Sequence, residues 1–267
     1  MLPGVAKATK KSGETYYRAG ITYNNKHISL GSYSDEEVAF KAYLDAMELL
    51  KNKDITIDSD FSKSTLLFSK IVTLLNFRDN KIYIKTPIYV RQNYFQYFLS
   101  PTLDLKFDLD DLFYYSSRTI SARGGHYFVA DYGMQVTITS RYGIKPHGVK
   151  GRDYIFVNGD DTDYRYENVE VINRFFGVAK CIHRKKNAYQ VKIHLNGDYI
   201  IGYYQDEIKA AIAYNKAVDA AKDAGFDKNF PINFIDECTN REYAIIYSSI
   251  TLPTKYLHAL LPYKNGV

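Results

Sequence analysis

Residues 175–234 read FFGVAKCIHRKKNAYQVKIHLNGDYIIGYYQDEIKAAIAYNKAVDAAKDAGFDKNFPINF and contain the pattern that decides the fold. From Tyr189 to His194 apolar and polar side chains alternate, which is typical of a strand with one buried face. Asn196-Gly197 then predicts a type I′ hairpin turn, because both central residues of that turn need positive φ. Residues 205–221 place alanines and larger apolar side chains at helical spacing. The stretch therefore predicts three short strands and one alanine-rich helix that lies close against them.

A second copy of this pattern occupies residues 4–50. Gly4-Val5-Ala6-Lys7 matches Gly177-Val178-Ala179-Lys180, and the segments from the third strand into the helix align without a gap. The aligned pairs in those segments are Gly31 with Gly202, Tyr33 with Tyr204, Asp35 with Asp206, Ala39 with Ala210, Tyr43 with Tyr214 and Ala46 with Ala217. Such self-similarity predicts an internal repeat, and hence two copies of one sheet-and-helix module.

Two local signals in the first copy mark the boundaries of its elements. Asn24-Asn25 stands between the second and third predicted strands and predicts a tight turn. Ser34 with Glu37 predicts a capping box, in which the serine hydroxyl would cap the start of the helix. The helix is therefore expected to begin directly after the third strand.

Both copies resemble the Apetala-two/ethylene-response-factor DNA-binding domain. The resemblance rests on the Gly-Val pairs at residues 4–5 and 177–178, on Leu30-Gly31 and Ile201-Gly202, and on the alanine-rich segments 39–46 and 210–217. In that family a three-stranded sheet lies in the DNA major groove and the helix braces its back. The resemblance implies an α+β chain with two modules that bind double-stranded DNA, each a three-stranded antiparallel sheet plus one helix.

The side chains expected to face DNA are polar ones on the outward face and the hairpins of each predicted sheet. They are Lys10, Arg18, Thr22 and His27 in the first copy, and His183, Arg184, Lys185, Gln190, Lys192 and His194 in the second. Glutamine can pair with adenine and lysine with guanine, so Gln190 and Lys192 are candidates for base readout, whereas a basic hairpin suits phosphates. We expect the second copy to dominate sequence readout and the first to anchor. The alternative to DNA binding is that these residues form an ordinary solvated polar face.

Residues 154–173, YIFVNGDDTDYRYENVEVIN, form another motif between the two copies. They resemble the second half of the ββα element of HNH homing endonucleases. The matching residues are Asn158-Gly159-Asp160, Asp163, Arg165, Glu167-Asn168 and Val171. The resemblance implies a ββα element whose helix begins near Glu167, within a central α+β region that has a lead-in at Asp110-Asp111-Leu112.

The catalytic positions of the HNH-like motif are altered. Ile155-Phe156 stands where the family has Asp-His, and Tyr164 stands where it has asparagine. An apolar pair can neither take a proton from water nor bind a metal ion. We therefore expect no catalytic residues, no metal ligands, no cofactor and no nuclease activity. An active HNH nuclease with relocated metal ligands stays open as the alternative, although His126 and His147 do not fit the motif spacing.

The composition is that of a globular protein with a basic balance. The 267 residues are 46% hydrophobic and 24% charged, with a formal net charge of +5. This length allows two or three domains, and the positive charge favours a polyanionic partner. Cys181 and Cys238 have no CxxC spacing, which argues against a disulfide framework and against a zinc site. No small-molecule ligand is indicated.

Two further observations concern membranes and secretion. The first residues lack the continuous apolar core of a secretory signal peptide. The most apolar run, residues 66–75, is interrupted by Ser69 and Lys70 and is too short to cross a bilayer. We expect an intracellular protein, cytoplasmic and associated with DNA, that does not contact a membrane.

Five segments are predicted along the chain. They are an Apetala-two-like module at residues 1–53, a helix- and strand-rich connector at 54–100, a degenerate HNH-like module at 101–173, a second Apetala-two-like module at 174–236 and an extension at 237–267. This arrangement predicts a sequence-specific DNA-binding protein, a transcriptional regulator derived from an HNH homing endonuclease that has lost its catalytic residues. A protein-binding scaffold built on the aromatic central region is a third possibility, and it would show no salt-sensitive DNA affinity.

Overall fold

The structure, a computed structural model, describes residues 2–264. Within this range the chain is mixed α+β, with six helices and five antiparallel sheets of two or three strands. The predicted α+β class is therefore confirmed. The chain packs as two compact units, which we call unit 1 (residues up to 138, together with 158–168) and unit 2 (residues 139–157 and from 169 onward).

Unit 1 begins with the first sheet-and-helix module. Its elements are β1 (Val5–Thr9), β2 (Thr15–Tyr23), β3 (Lys26–Tyr33) and α1 (Glu36–Lys51), and the strand order is β1-β2-β3. The helix packs its alanines, Ala39, Ala42 and Ala46, on the sheet, and all three are fully buried. Asn24 and Asn25 have φ of 45° and 58°, so the predicted tight turn between β2 and β3 is confirmed.

The rest of unit 1 adds one long helix, one short helix and two small sheets. Its elements are α2 (Phe68–Asn80), β4 (Ile88–Val90), β5 (Tyr94–Ser100), β6 (Leu103–Asp108), α3 (Leu112–Tyr115), β7 (Ile120–Arg123), β8 (His126–Asp131) and β9 (Met134–Thr137). Arg78 of α2 donates hydrogen bonds to the carbonyls of Leu49, Asn52 and Ile55, at 2.7–2.8 Å. These bonds satisfy carbonyls at the end of α1 and attach α2 to the first module.

Unit 2 contains the second module and two helices that follow it. Its elements are β10 (Tyr154–Phe156), β11 (Val169–Val171), β12 (Val178–His183), β13 (Lys186–His194), β14 (Asp198–Tyr204), α4 (Glu207–Asp223), α5 (Asn240–Ser249) and α6 (Thr254–Lys264). The sheet β12-β13-β14 packs its apolar face on α4. The hydroxyl of Tyr256 donates to the carbonyl of Ala217 at 2.6 Å and holds α6 against α4.

The two modules have the same order of strands and helix, and both sheets have a β-bulge at the corresponding position. In β2 the pairing with β3 shifts between Ala19 and Gly20, and in β13 the pairing with β14 shifts between Val191 and Lys192. At this bulge the amide of Gly20 donates to the carbonyl of Gly4 at 2.9 Å, and that of Lys192 donates to the carbonyl of Gly177 at 2.8 Å. The same bulge tied to the same glycine in both modules supports the internal repeat.

Three local predictions were wrong. The N-cap of α1 is Asp35, whose carboxylate accepts from the amides of Glu37 and Val38, and not Ser34. The Asn196-Gly197 turn is not type I′, because neither residue has positive φ. His194 pairs with Asp198 and leaves three residues in the loop, whereas a type I′ turn has two.

The third wrong prediction is the helix near Glu167. Residues 169–171 form β11, which pairs antiparallel with β10, and no helix begins in residues 158–173. The side chain of Asn168 accepts from the amide of Asn158 at 2.7 Å and donates to the carbonyl of Asp163 at 2.8 Å. These bonds close residues 158–168 into a loop, and the chain continues after that loop as the strand β11. A strand, β11, therefore stands where the helix of the ββα element was expected.

Candidate nucleic-acid interface

The sheet of unit 2 has one face against α4 and one face towards solvent. Val191 and Ile193 are 0% and 1% exposed on the helix side. Gln190, Lys192 and His194 alternate with them and therefore point to the opposite face, where Lys192 and His194 are exposed. The structure thus brings the three predicted readout residues into one row along the central strand. We call this surface, with the parts of β12 and β14 beside it, the outward face of unit 2.

Two basic side chains of the row share one carboxylate. Asp198, opposite His194 on β14, accepts from Lys192 Nζ at 2.7 Å and contacts His194 Nδ1 at 2.8 Å. The hydrogen bonds from Lys192 and then from His194 lower the pKa of the Asp198 carboxyl. The row therefore presents a small charged network, and a ligand that takes Lys192 must compete with Asp198 for it.

An aromatic pair crosses the central strand beside this network. Tyr203 lies opposite Gln190, and its hydroxyl accepts from Gln190 Nε2 at 2.9 Å. The ring of Tyr203 also stacks on the imidazole of His183, with centroids 3.9 Å apart and planes within 12°. On β13, Ala188 lies between Lys186, the partner of His183, and Gln190, the partner of Tyr203, and it is only 3% exposed. His183 is therefore part of a stacked pair that orients Gln190, and Tyr203 was missed by the sequence interpretation.

The hairpin between β12 and β13 presents two predicted phosphate-binding side chains. Arg184 and Lys185 form its two-residue loop with φ of 52° and 64°, which is the left-handed region. Residues other than glycine and asparagine rarely occupy this region, at a cost of roughly 1 kcal/mol each. Both side chains are exposed, and neither has a hydrogen-bond or ion-pair partner within residues 2–264. Two free cations thus stand at the tip of the sheet in a strained turn.

A cleft of about 250 Å³ lies beside Gln190 and Lys192 in the same unit. Its other walls include Lys145 and Arg152, two basic residues that the sequence interpretation did not select. Both form ion pairs with Asp153, Lys145 at 3.0 Å and Arg152 at 2.7 Å. Arg152 is 62% exposed, whereas the Asp153 side chain is 2% exposed. The cleft therefore extends the positive surface of the outward face.

Burial and hydrogen bonding act in opposite directions on Asp153. Burial raises the pKa of its carboxyl, but hydrogen bonds from Arg152, the amide of Val149 and Lys145 outweigh burial, so that the pKa is lowered. The carboxylate is therefore ionised at neutral pH and holds both cations in place. Lys145 Nζ also donates to the carbonyl of Phe175 at 2.9 Å, which attaches the 145–153 loop next to the start of β12.

The outward face of the first module carries fewer polar groups. Arg18 donates to the hydroxyl of Tyr16 at 2.5 Å and 3.1 Å, and its guanidinium lies 5.3 Å from the Tyr16 ring centroid. His27 lies over Gly20, where an added Cβ would be 2.9 Å from the imidazole. Thr22, opposite His27, is exposed. Arg18, Thr22 and His27 share this face, in which Gly20 occupies the place that Lys192 has in unit 2.

Lys10 is separate from that group. It follows β1 in the first hairpin and forms an exposed ion pair with Glu14 at 2.8 Å. An exposed pair of this kind contributes little to stability. Of the ten predicted DNA-binding residues, Lys10 is thus the one placed at a hairpin of the first module, as Arg184 and Lys185 are in the second.

The HNH-like segment is divided between the two units. Phe156 is 9% exposed in β10, and Ile155 pairs with Glu170 of β11. His126 and His147 are both exposed and lie in different units. No group of three or more His, Cys, Asp or Glu side chains in the described range is placed to hold a metal ion.

The acidic residues of the motif stabilise their own loop in unit 1. Asp163 is 1% exposed and accepts two hydrogen bonds from Arg165, at 2.9 Å and 2.7 Å. Asp160 pairs with Lys106 of β6 at 2.8 Å. The hydrogen bonds from Lys106 and Thr162 lower the pKa of Asp160 to about 2. These carboxylates, which match the HNH pattern in sequence, are occupied by ion pairs that hold the loop to β6.

In comparisons with known proteins, no family model, no curated protein and no solved structure matches the chain. Among the helices of the described residues, none combines the length and the apolar character that crossing a membrane requires.

Proposed function

We propose that the chain is a sequence-specific double-stranded DNA-binding protein whose two modules are of the Apetala-two/ethylene-response-factor type. The observation that carries the proposal is the row Gln190, Lys192 and His194 on the outward face of unit 2. These side chains project from a strand whose other face is closed by α4. The DNA major groove admits β-structure, and base edges there offer the donors and acceptors that such side chains read.

The chemistry of the row suggests which contacts it makes. Lys192 can donate to the O6 and N7 atoms of guanine, and the Gln190 carboxamide can pair with adenine. Asp198 can accept from the N4 amino group of cytosine. In the free protein these groups bond to each other and to Tyr203, so their side chains are already ordered before DNA arrives. Binding exchanges one set of hydrogen bonds for another, which favours bases that fit over bases that do not.

Phosphate contacts would come from the basic side chains that surround the row. Arg184 and Lys185 stand at one hairpin, and the exposed Arg152 lies beside the cleft. If these three side chains neutralise three phosphates, the logarithm of the affinity falls by about 2.7 for each tenfold rise in salt concentration. A scaffold that binds protein through the aromatic central region lacks this dependence.

We further propose that the protein regulates transcription and does not cut DNA. The general-base position holds Phe156, which is buried, and the motif's carboxylates Asp163 and Asp160 are bound to Arg165 and Lys106. Incubation of the protein with its duplex and Mg²⁺ or Mn²⁺ separates this proposal from an active nuclease. Intact duplex is expected. Nicking that disappears in His126→Ala or His147→Ala contradicts it and favours relocated metal ligands.

Selection of binding sites from random duplex DNA tests the main proposal. The expected result is a defined consensus site whose affinity falls steeply with salt. The same selection with an Arg184→Ala, Lys185→Ala double variant is expected to return the same consensus at lower affinity, because phosphate contacts carry no sequence information. A pool that stays random after repeated rounds with the full chain contradicts sequence-specific binding.

A further inference from the structure

Unit 1 contains an open cavity of about 830 Å³ that lies outside the sheet faces described above. This volume is within the range of roughly 300–1,000 Å³ that is typical of small-molecule sites. Two chain segments far apart in sequence form most of its walls, residues 83–87 before β4 and residues 116–120, which lead into β7. Lys26, at the start of β3, and Ser69, in α2, complete the polar part of the lining.

Hydrogen bonds fix the two wall segments to each other and to β5. The hydroxyl of Thr86 donates towards the carbonyls of Tyr115 and Ser116 at 3.2 Å and 3.1 Å. The hydroxyl of Tyr97 donates to the carbonyl of Arg118 at 3.2 Å and accepts from the amide of Ile120 at 3.1 Å. Thr86 is 8% exposed and Tyr97 is 1% exposed, so these bonds are shielded from water. The cavity is therefore a preformed part of unit 1.

All charged side chains that line the cavity are positive. Lys26 and Lys85 line it, and its lining contains no aspartate or glutamate. Within residues 2–264, the ammonium of Lys85 has no hydrogen-bond or ion-pair partner, and the ammonium of Lys26 has no ion-pair partner and lies 5.0 Å from the centroid of the Tyr83 ring. Burial is the main cause that lowers the pKa of Lys70, and the neighbouring Lys85 ammonium lowers it further. The cavity thus has positive charge without a protein anion to neutralise it.

Hydrogen-bond donors stand beside these lysines. Ser69, Ser117 and Thr119 line the cavity, and none of their hydroxyls has a partner within residues 2–264. Free hydroxyls and ammonium groups together are the donors that phosphate oxygens accept from. The remaining lining is apolar or aromatic, from Ile84, Pro87, Phe98, Leu99 and Ile120 together with Tyr83. Such a surface suits a ligand in which a flat, weakly polar group, such as an aromatic ring, is attached to the phosphate.

We propose that this cavity binds a nucleotide, with its phosphate held by Lys26, Lys85 and the free hydroxyls and its base on the apolar lining. The nucleotide has two possible sources, a free mononucleotide or a residue of a nucleic-acid strand, and both offer the same phosphate and base. The cavity is separate from the outward face of unit 2, so this inference does not rest on the proposed readout of duplex DNA.

Isothermal titration calorimetry of the full chain with adenosine 5′-monophosphate tests the proposal. Saturable binding is expected, and adenosine, which lacks the phosphate, is expected to bind at least about tenfold more weakly. Lys85→Gln is expected to weaken the binding of the monophosphate by about tenfold, and Ser117→Ala by about threefold. Lys41→Ala is the matched control, since Lys41 is an exposed lysine of α1 outside the cavity.

Further probes distinguish the two sources and the alternatives. A short single-stranded oligonucleotide that competes with the monophosphate and binds more tightly assigns the cavity to nucleic acid, whereas weaker binding assigns it to a free nucleotide. No saturable binding of the monophosphate, equal binding of adenosine, or an affinity unchanged in both Lys85→Gln and Lys26→Gln overturns the proposal. A chain that selects no duplex but binds the monophosphate through Lys85 supports this inference and contradicts the proposed function.

Discussion

Gly177 lies against the ring of Tyr214, so close that a Cβ on Gly177 would be 2.1 Å from the Cδ2 atom of the ring. Gly4 has the same relationship to Tyr43, also at 2.1 Å. Both glycines have positive φ, 68° and 70°. The Gly-Val pair and the helix tyrosine, which are separate parts of the repeated sequence pattern, thus form one contact in each module. The contact fixes how the first strand crosses the helix.

Gly177→Ala is expected to destabilise unit 2 by about 2–4 kcal/mol, because the new methyl group meets the ring and an alanine in the left-handed region is itself strained. Urea unfolding measures the change. Gly197→Ala is the control, since Gly197 has no heavy atom within 4 Å of a built Cβ and lacks positive φ. Equal stability of the two variants contradicts the contact.

The hairpin Arg184-Lys185 predicts an opposition between stability and binding. Replacing it by Asn-Gly is expected to stabilise the fold by about 1 kcal/mol, because these residues accept positive φ at little cost. The same change removes two cations and is expected to weaken binding to every duplex and to flatten the salt dependence. Thermal unfolding and titration at three salt concentrations measure the two effects. A stabilised variant with unchanged DNA affinity shows that the hairpin does not touch phosphates.

Because the pKa of the Asp160 carboxyl is lowered, we expect the fold to lose stability in acid. Its pKa, about 2 in the folded chain, is below the ordinary value of about 3.9, so the ionised form stabilises the fold above pH 4. This contribution disappears as the pH falls through 4 towards 2. Asp160→Asn is expected to cost about 1 kcal/mol at pH 7, since the partial exposure of the pair with Lys106 reduces its value.

The difference between wild type and Asp160→Asn is then expected to shrink at pH 3, which urea unfolding at both pH values measures. Asp110→Asn serves as the control, because Asp110 is exposed and has no ion pair in the described part of the chain. A difference that is constant from pH 7 to pH 3 contradicts the assignment of the lowered pKa to Asp160.

The outward faces of the two modules carry different polar side chains, so we expect the second module to read the bases and the first to anchor the DNA. Arg18→Ala removes the only arginine on the outward face of the first module and is expected to weaken all duplexes by a similar factor of about three to ten. The base preferences of the selected site should stay the same. Competition against single-base variants of that site measures them. Loss of preference in Arg18→Ala, with normal preference in Gln190→Ala and Lys192→Ala, reverses the ranking of the modules.

The sequence predicts those parts of the fold that depend on neighbours in the chain. Alternation in β13 and alanine spacing in α4 are local, and they placed Gln190, Lys192 and His194 on one face. The cap at Asp35 was missed because Ser34 and Asp35 are adjacent cap formers, and the choice depends on where β3 ends. The helix near Glu167 was wrong because the Asn168 side chain bonds to backbone on both sides of its loop.

What the sequence did not predict depends on contacts between distant segments. Lys145 and Arg152 line the cleft beside Gln190 and Lys192 because both pair with the buried Asp153, and nothing in the local pattern indicates this. The bond between Lys192 and Asp198 depends on the three-residue hairpin loop, which places Asp198 opposite His194 and Ile200 opposite Lys192, whereas the expected two-residue turn would give another register. The cavity of unit 1 joins residues 83–87 with residues 116–120, whose proximity follows from packing alone.

The measurement that tests the central claim most directly is the affinity of Lys192→Ala for the selected duplex and for a scrambled duplex at the same salt concentration. We expect the affinity for the selected duplex to fall by about 10- to 100-fold and that for the scrambled duplex to fall less than about threefold. Lys209→Ala, an exposed lysine on α4, is expected to match wild type on both. If Lys192→Ala and Gln190→Ala both keep the full preference for the selected duplex, the outward face of unit 2 does not read the DNA sequence.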